Sequence, residues 1–383
     1  MRIAIPTILS TKQKVGVAEY LKNLIDNIQI LDSKNEYFII TFPQNRHFFN
    51  IYKKNFHEIV VPIYDYSRVF LRINYFLWQT LMFNNILKKN RIDITHFPSP
   101  WFIPRNIKSI VSVHDLVEIK LNKYSYVNNL FKKKMIENTV RNSNVLISVS
   151  RNTQNDLQIL FNKKSYLIEN GISNHNLTPD HSDKIKEVLN KFGLSKGYYF
   201  IFIGTLLKHK NISNQIKAFK LFDEKKKGMK FVIIGKEDNA TPEIKKTIKK
   251  WNLKDRIVLT GYVEDNIKDI LLENSASLLY ASNYEGFGFP ILDAQKLSIP
   301  VITSNVSSMP ETAGRGAILV DPTDINHIAK SMEEIITDTK LRDKLIYYGR
   351  ENIKRFSWKR CAEKTVELYY NFFNQSIKDL NNL

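Results

Sequence analysis

Two carboxylates, Glu285 and Asp293, flank a glycine-rich segment in the second half of the chain. A carboxylate accepts hydrogen bonds from several hydroxyl groups at once, and this chemistry suits the hydroxyls of a sugar or a ribose. The turn between the two acids contains Gly286, Phe287 and Gly288. We therefore expect the acids to serve one polyhydroxylated ligand, with the glycines letting the backbone approach it closely.

A helix is expected to begin directly after this turn. A predicted strand ends near Tyr280, and we expect Pro290 at the first position of the helix, where the N–H that proline lacks would have no intrahelical acceptor. Free N–H groups at such a helix start form a site for an anion such as a diphosphate. An ordinary strand–turn–helix connection with surface acids is the alternative that this segment alone leaves open.

A second group of residues with phosphate-binding character follows another predicted strand. Gly204 ends that strand, and the cations Lys208, His209 and Lys210 follow before a helix. A glycine and cations between a strand and a helix face a phosphate in many nucleotide sites. A solvated basic turn is the alternative.

Two weaker candidates lie in the first half of the chain. Gly16 opens a predicted helix after the first strand, where tight turns often use glycine. His114 and Asp115 end a further strand. A single His-Asp pair is usually structural, so these residues alone do not identify a site.

The elements that must position these residues alternate along the chain. Short runs rich in Ile, Val and Phe alternate with helical segments, which is typical of parallel sheets covered on both faces. We predict strands at 2–6, 37–41, 94–97, 109–113, 145–149, 166–168, 199–203, 230–234, 256–260, 276–280, 301–303 and 317–320. The longest predicted helices in the first half cover 16–31, 68–90 and 127–142.

A polar stretch, 173–183, is predicted to link two domains, because the alternation restarts after it. The fold class is α/β, with two doubly wound, Rossmann-like parallel-sheet domains that face a cleft. Domain boundaries are expected at 1–175 and 176–355, and 356–383 is expected to form a helix that crosses back to the first domain. Such sheets bind ligands at the carboxyl ends of their strands.

The net charge and the composition limit the classes of binding partner that the protein can be expected to have. The 383 residues include 57 Lys and Arg against 38 Asp and Glu, a net charge of +19. Phosphorylated substrates and an anionic membrane surface are candidate partners, with compositional drift as the alternative. No nucleic-acid-binding module or stacking platform is visible, so we expect no nucleic acid partner.

The sequence lacks several features that would indicate a disulfide-bonded, secreted, membrane-spanning or metal-binding protein. The single cysteine, Cys361, excludes an intrachain disulfide and favours a reducing compartment. We see no secretory signal and no apolar stretch of about 20 residues, so we expect a cytoplasmic protein. No Cys/His cluster, Asp-x-Asp or nucleotide P-loop pattern occurs, so we expect no metal and no cofactor.

The segment from Glu285 to Asp293 resembles the Glu-x7-Glu signature of retaining glycosyltransferases of family 4, which have the GT-B fold. The resemblance continues through 299–305, 309–311, Gly314 and 321–322, and through 149–153, 169–172 and 356–358. It therefore covers nearly the whole chain. It implies that Glu285 lies against the donor sugar and that Asp293, shorter than the usual Glu, binds the nucleotide ribose.

The same resemblance assigns the remaining candidates. The 204–211 segment is similar to a Gly-Thr…Arg-Lys-Asn loop whose cations hold the donor diphosphate, with His209 standing where Arg is usual. Gly16 resembles the family's glycine loop, and His114 resembles a histidine that meets the donor sugar. The implied catalytic residues are Glu285, His114 and Lys210, and the implied donor-binding residues are Gly16, Gly204, His209, Lys210, Gly286, Phe287, Gly288 and Asp293.

The expected activity is metal-independent transfer of a hexose from a nucleotide-diphospho-sugar donor to a glycan or lipid-linked acceptor, with retention of configuration. GDP-mannose is the expected donor and UDP-hexoses are the alternative, in polysaccharide or lipopolysaccharide assembly. Segments 70–83 and 120–134 mix apolar side chains with cations, which is typical of contact with the inner face of a membrane. An amphipathic core helix is the favoured interpretation of the first segment, and contact with a membrane or lipid-linked acceptor is that of the second. A sugar-nucleotide epimerase and a non-catalytic homologue are alternative functions.

Overall fold

The structure is a computed structural model that describes residues 1–7, 16–46, 48–62, 82–100, 107–121, 126–172, 182–225 and 228–381. The chain divides into two compact units. Unit 1 comprises Met1–Gly171 and Ser357–Leu383, and unit 2 comprises Ile172–Phe356. Each unit is built around its own sheet.

Unit 1 contains a parallel sheet. Its strands are β1 (Arg2–Pro6), β2 (Glu36–Thr41), β3 (Phe56–Val60), β4 (Ile94–Phe97), β5 (Ser109–Val113), β6 (Val145–Ser148) and β7 (Tyr166–Leu167). Within the described residues, these seven strands lie in the order β3-β2-β1-β4-β5-β6-β7. The order reverses beside β1, so the carboxyl ends of β1 and β4 flank a topological switch point.

Helices accompany this sheet. They are α1 (Gly16–Leu31), α2 (Phe83–Lys89), α3 (Val117–Lys120), α4 (Tyr126–Asn142) and α5 (Arg151–Phe161). Helix α1 buries Leu21, Leu24, Ile25 and Ile28, and this spacing puts them on one face of a 3.6-residue repeat. Ser150 begins α5 as an N-cap, because its hydroxyl accepts a hydrogen bond from the N–H of Thr153.

Unit 2 is likewise built from a parallel sheet and the helices that connect its strands. Its strands are β8 (Tyr199–Ile203), β9 (Lys230–Ile234), β10 (Ile257–Gly261), β11 (Ser277–Tyr280), β12 (Val301–Ser304) and β13 (Ala317–Val320). Among the described residues they form one parallel sheet in the order β10-β9-β8-β11-β12-β13. The helices are α6 (Ser182–Lys191), α7 (Ile212–Lys225), α8 (Thr241–Lys250), α9 (Asp265–Glu273), α10 (Phe289–Lys296), α11 (Met309–Ala313), α12 (Ile325–Thr337) and α13 (Thr339–Ile353).

The final helix, α14 (Trp358–Asn381), belongs to unit 1 and packs against α1. Its start lies against the residue that ends the first part of unit 1. A Cβ added to Gly171 would lie 2.1 Å from the backbone nitrogen of Trp358, so only glycine permits this approach. Further along, the side-chain N–H of Asn35 donates to Tyr370 Oη at 3.0 Å.

The prediction of two parallel-sheet α/β domains is confirmed. Strand β3 was missed, since it lies at the edge of the sheet and its sequence, Phe-His-Glu-Ile-Val, lacks a continuous apolar run. Of the helix predicted at 68–90, the described part is α2, and residues 63–81 lie outside the described residues. The predicted linker lies largely outside them too, because 173–181 are not described. No described helix is both long and apolar enough to cross a bilayer.

Candidate functional site

A buried ion pair joins the two predicted phosphate- and sugar-binding segments of unit 2. Lys210 ends a short 3₁₀ turn (Lys208–Lys210) after β8, and Glu285 lies in the turn after β11. The Nζ of Lys210 lies 2.7 Å from each carboxylate oxygen of Glu285. Only 13% of the lysine side chain and 9% of the glutamate side chain are exposed. The pair is therefore charge-assisted and largely shielded from water.

Tyr280 completes the surroundings of Lys210. Its hydroxyl lies 3.0 Å from Nζ, and Nζ stands 5.4 Å from the centre of the tyrosine ring. A lysine ammonium has three hydrogens to donate. The two oxygens of Glu285 and the hydroxyl of Tyr280 supply an acceptor for each of them, so the orientation of Lys210 is fixed from three sides.

These contacts keep Glu285 ionised. Burial by itself would raise the pKa of the Glu285 carboxyl, but the charges of Lys210 and His209 and the hydrogen bonds from Lys210 outweigh it. The net effect is a pKa below the ordinary value. Conversely, burial and the neighbouring Glu285 charge hold the pKa of Tyr280 well above its ordinary value. At neutral pH the site contains a carboxylate and a neutral phenol.

Hydroxyl groups from the segment that begins α11 hold the glycine-rich turn in place. The carbonyl of Glu285 accepts from Ser307 Oγ at 2.7 Å and Ser308 Oγ at 2.9 Å. The carbonyl of Phe287 accepts from Thr312 Oγ1 at 2.6 Å and Ser308 Oγ at 3.2 Å. With their carbonyls held in this way, the turn residues have a defined backbone orientation. These three hydroxyl residues were not predicted from the sequence, although they flank residues 309–311, which carry part of the family resemblance.

The turn itself is compact. Gly288 precedes α10 with φ at +102°, a conformation that favours glycine. Gly286 and Phe287 are buried, and the ring of Phe287 packs edge-on against Phe289 at 5.1 Å between centroids. Because α10 begins at Phe289, Pro290 is its second residue, one position later than predicted.

Asp293 lies on α10, about one turn after its start, and is 8% exposed. Lys296 is one turn further along the helix. Burial lowers the pKa of the Lys296 ammonium, while the charges of Asp293 and Asp269 act in the opposite direction. Asp293 therefore shares its surroundings with a cation and a second acid, a setting that sequence reasoning did not reveal.

Two glycines let the turns after neighbouring strands touch. The N–H of Gly204 donates to the carbonyl of Ile234 at 2.9 Å. A Cβ added to Gly235 would lie 1.9 Å from the carbonyl oxygen of Gly204, which no side chain tolerates. Sequence analysis singled out Gly204, but Gly235 was missed, because its requirement arises from the contact between the two turns.

Asn211 fixes the basic turn from the other side. Its side-chain nitrogen donates to the carbonyls of Ala281 and Pro322, at 3.0 and 2.7 Å, and its backbone adopts the left-handed conformation. The backbone carbonyl of His209 in turn accepts from the N–H of Asn283 at 2.8 Å. The turn carrying His209 and Lys210 is thus bound to the loops that follow β11 and β13.

The two candidates of unit 1 occupy the ends of elements. Gly16 is the exposed first residue of α1. His114 follows β5, and its Nε2 donates to the carbonyl of Pro98 at 2.9 Å. Burial lowers the pKa of His114 to about 4, so the imidazole is neutral at physiological pH. The neighbouring Asp115 accepts a hydrogen bond from the N–H of Val117 at 3.0 Å.

The structure therefore brings some predicted residues together directly. Lys210 and Glu285 are in contact, His209 contributes its charge to the same carboxylate, and Gly286, Phe287 and Gly288 form the turn that carries it. Within the described residues, no group of three or more His, Cys, Asp or Glu side chains is arranged to hold a metal ion.

Comparison with known proteins adds family information. A family model described as "Glycosyltransferase Family 4" matches residues 16–175, and one described as "Glycosyl transferases group 1" matches residues 184–352. The O-antigen chain mannosyltransferase B of Escherichia coli is 26% identical over 290 residues, which cover 72% of this chain and 74% of that protein.

Solved structures give the same fold. A sucrose-phosphate synthase from Thermosynechococcus elongatus superimposes with a TM-score of 0.75 at 17% identity, covering 98% of this chain and 99% of that chain. The Anabaena protein Alr3699/HepE, in complex with UDP and glucose, superimposes with a TM-score of 0.74 at 14% identity, covering 97% and 100%.

Proposed function

The chain belongs to glycosyltransferase family 4 and is a glycosyltransferase of the GT-B fold, and from this premise we propose that unit 2 binds a nucleoside-diphosphate sugar through Glu285, Lys210, His209 and Asp293. The observation that carries the proposal is the buried Lys210–Glu285 pair beside the glycine-rich turn. It combines a cation for phosphate with a carboxylate for sugar hydroxyls, held at 2.7 Å.

The donor diphosphate would bind at the turn 286–288 and the basic turn 208–210. Lys210 already has an acceptor for each of its hydrogens, so a phosphate oxygen must replace or share one of them. The hydroxyl of Tyr280 is the acceptor most readily exchanged, because it is neutral whereas Glu285 is charged. In this scheme Glu285 keeps one link to Lys210 and accepts from the donor sugar.

Asp293 would bind the ribose, and in unit 1 Gly16 and His114 would contact the phosphate and the sugar of the donor. The neutral imidazole of His114 is suited to accept a hydrogen bond from a sugar hydroxyl, since its Nε2 hydrogen is committed to Pro98. In this assignment unit 1 is the acceptor side of the enzyme and unit 2 the donor side.

The reaction breaks the bond between the sugar's anomeric carbon and the diphosphate oxygen. The negative charge that grows on this oxygen is stabilised by Lys210, by His209 and by N–H groups of the turn 286–288. An acceptor hydroxyl then forms its bond on the face that the diphosphate left and gives its proton to the departing diphosphate oxygen, so the anomeric configuration is retained. No divalent metal is required in this scheme, because the protein's own cations and N–H groups supply the neutralising charge.

We propose GDP-mannose as the donor, on the strength of the relative named as an O-antigen chain mannosyltransferase. UDP-hexoses are the second candidate, because the structure of Alr3699/HepE contains UDP and glucose. The acceptor would be a growing glycan, free or lipid-linked, in the assembly of a cell-surface polysaccharide or lipopolysaccharide.

A lipid-linked acceptor would bring the enzyme to the inner face of a membrane. The basic segment 120–134 is the candidate surface, and part of it, 122–125, lies outside the described residues. Lys120 pairs with the buried Asp156 at 2.6 Å, and Lys134 of α4 is exposed, where its charge would face anionic lipid. Sedimentation with vesicles containing anionic lipid should recover more protein than neutral vesicles do, and equal recovery would remove this part of the proposal.

The first experiment is a thermal-shift screen against GDP, UDP, ADP and their sugar conjugates in the presence of EDTA. A shift with one nucleotide identifies the donor base, because a ligand that binds the native state stabilises it. Incubation of that sugar conjugate without acceptor then distinguishes a glycosyltransferase from a sugar-nucleotide epimerase. An isomerised sugar nucleotide would indicate an epimerase, and no shift with any nucleotide would favour a non-catalytic homologue.

A further inference from the structure

Four buried polar side chains form a continuous hydrogen-bonded chain in unit 1, and it ends beside His114. At its centre is His96 of β4, which is 1% exposed. The Nδ1 of His96 lies 2.6 Å from Tyr369 Oη of α14, and its Nε2 lies 2.8 Å from Ser112 Oγ of β5. The same Ser112 oxygen lies 2.9 Å from Tyr20 Oη of α1. This hydrogen-bonded chain thus links α14 to α1 through β4 and β5, in the middle of the sheet of unit 1.

The hydrogens of this chain are sufficient for all of its links. Burial lowers the pKa of His96 to about 3, so its ring is neutral and carries one N–H. Burial also raises the pKa of Tyr20 and of Tyr369, so both keep their hydroxyl hydrogens. With the Ser112 hydroxyl there are four hydrogens for three links. A satisfied buried network of this kind holds its members in defined positions.

The ring of Tyr20, which this network holds in place, packs directly against the ring of His114. The two rings meet edge to face, with centroids 4.7 Å apart and planes at 77°. The ring of Trp358, at the start of α14, lies 6.2 Å from that of Tyr20. Tyr20 is 1% exposed, so its ring is enclosed by the protein, and the hydrogen bond to Ser112 holds its hydroxyl end.

A second restraint on His114 comes from the same strand that carries His96. Pro98, two residues after His96, accepts the Nε2 hydrogen of His114 at 2.9 Å. This bond selects the tautomer with the hydrogen on Nε2 and the lone pair on Nδ1. The tautomer and the plane of the imidazole are therefore both set by residues that belong to, or adjoin, the buried chain.

We propose that Tyr20, His96, Ser112 and Tyr369 are positioning residues that hold the ring plane of His114, so that the Nε2–H tautomer selected by Pro98 presents Nδ1 to a hydroxyl of the donor sugar. The part that concerns the sugar rests on the proposed function of His114. Through Tyr369, the C-terminal helix contributes to donor recognition without touching the donor. The hydrogen-bonded chain thus gives α14 a role in positioning His114, in addition to its packing against α1.

The test compares three variants with a matched control. Tyr20→Leu removes the ring against His114, Tyr20→Phe removes only the hydroxyl, and Tyr369→Phe breaks the far end of the chain. Tyr199→Phe is the control, because Tyr199 is equally buried and its hydroxyl donates to the carbonyl of Leu271 at 2.6 Å in unit 2, away from this hydrogen-bonded chain. It removes one buried hydrogen bond and so matches the loss of stability.

The readouts are the ring ¹⁵N resonances of His114, assigned with His114→Asn, and the steady-state constants for the donor. In Tyr20→Leu, Tyr20→Phe and Tyr369→Phe we expect the His114 ring to loosen against the carbonyl of Pro98, so that its two nitrogens shift towards a tautomer mixture. We also expect kcat/KM for the donor to fall about 10-fold or more, since misplacing a contacting group by about 1 Å can cost 10²-fold. Tyr199→Phe should leave both readouts unchanged.

Two results would overturn the inference. One is a Tyr20→Leu protein whose His114 resonances match those of the control. The other is a shift of these resonances with unchanged kcat/KM in a protein that transfers sugar. If the wild-type protein transfers no sugar at all, the proposed function fails, while the resonances alone still decide whether the buried chain positions His114.

Discussion

The Nζ of Lys210 lies 2.7 Å from both carboxylate oxygens of Glu285, and this contact joins the ends of β8 and β11, which are neighbours in the sheet of unit 2. Both side chains are largely removed from water. Each charge is therefore tolerated because of the other, since an isolated buried charge is strongly unfavourable. The pair is at once the centre of the proposed donor site and a structural requirement of unit 2.

Removing one partner of this pair should destabilise the protein strongly. Lys210→Met leaves the Glu285 carboxylate buried and unpaired, which typically costs about 3–5 kcal/mol. In the double variant with Glu285→Gln the loss should be clearly smaller than the sum of the two single losses. Urea unfolding measures these values. Lys330→Met is the control, because the Lys330–Glu334 pair is exposed and should contribute under about 1 kcal/mol. Equal losses for the two lysine variants would contradict the prediction.

Glu285 and Asp293 should affect different steps. We expect Glu285→Ala to lower kcat at least about 100-fold, the scale seen when a group that stabilises a transition state is removed, while nucleotide binding is largely kept. Asp293→Asn should instead weaken nucleotide binding, because the ribose contact loses its charge. Calorimetric titration with the nucleoside diphosphate and a transfer assay separate the two effects. A Glu285→Ala enzyme with wild-type turnover would exclude the proposed role.

The stability of unit 1 should fall as the pH drops from about 7 towards 5. His96 is protonated in the unfolded chain below its ordinary pKa of 6.5, whereas in the folded protein its pKa is about 3. Unfolding therefore takes up a proton on His96 in this range, which contributes up to about 1.4 kcal/mol per pH unit to the free energy of unfolding. His114, whose pKa is lowered to about 4, contributes in the same direction. His96→Asn should reduce this slope, as measured by urea unfolding at several pH values. Thr365→Val, which removes a buried hydroxyl of unit 1 but no titratable group, should leave the slope unchanged.

Gly235→Ala should damage the basic turn without changing any residue in it. The added Cβ would lie 1.9 Å from the carbonyl oxygen of Gly204, so the turn leading to Lys208–Lys210 must move. We expect lower stability and weaker nucleotide binding, measured by thermal unfolding and titration. Gly197→Ala is the control, because its φ of +75° carries a strain of about 1 kcal/mol but the added Cβ meets nothing within 4 Å. If both variants bind nucleotide equally, the close approach is not needed for the site.

Many of the residues proposed to bind the donor in unit 2 lie close together in the sequence. Glu285, Gly286, Gly288 and Asp293 lie within one strand–turn–helix connection, whose residue types and spacing can be recognised along the chain. The alternation of apolar strands and helices likewise identified the α/β class and most strand bounds. Strand β3 was missed because an edge strand with polar residues has no continuous apolar run.

Tertiary structure decided which of these segments meet and in what chemical state. Lys210 and Glu285 pair because β8 and β11 are neighbours in the sheet, and strand order is not encoded in local periodicity. Tyr20, His96, Ser112 and Tyr369 each look like ordinary interior positions of their own elements, yet they form one hydrogen-bonded chain. The sequence by itself determined the residue types, the local turns and the family, because these depend on neighbouring residues. The ion pair, the neutral histidines and the close contact of Gly204 with Gly235 depend on burial and long-range packing, which only the folded chain supplies.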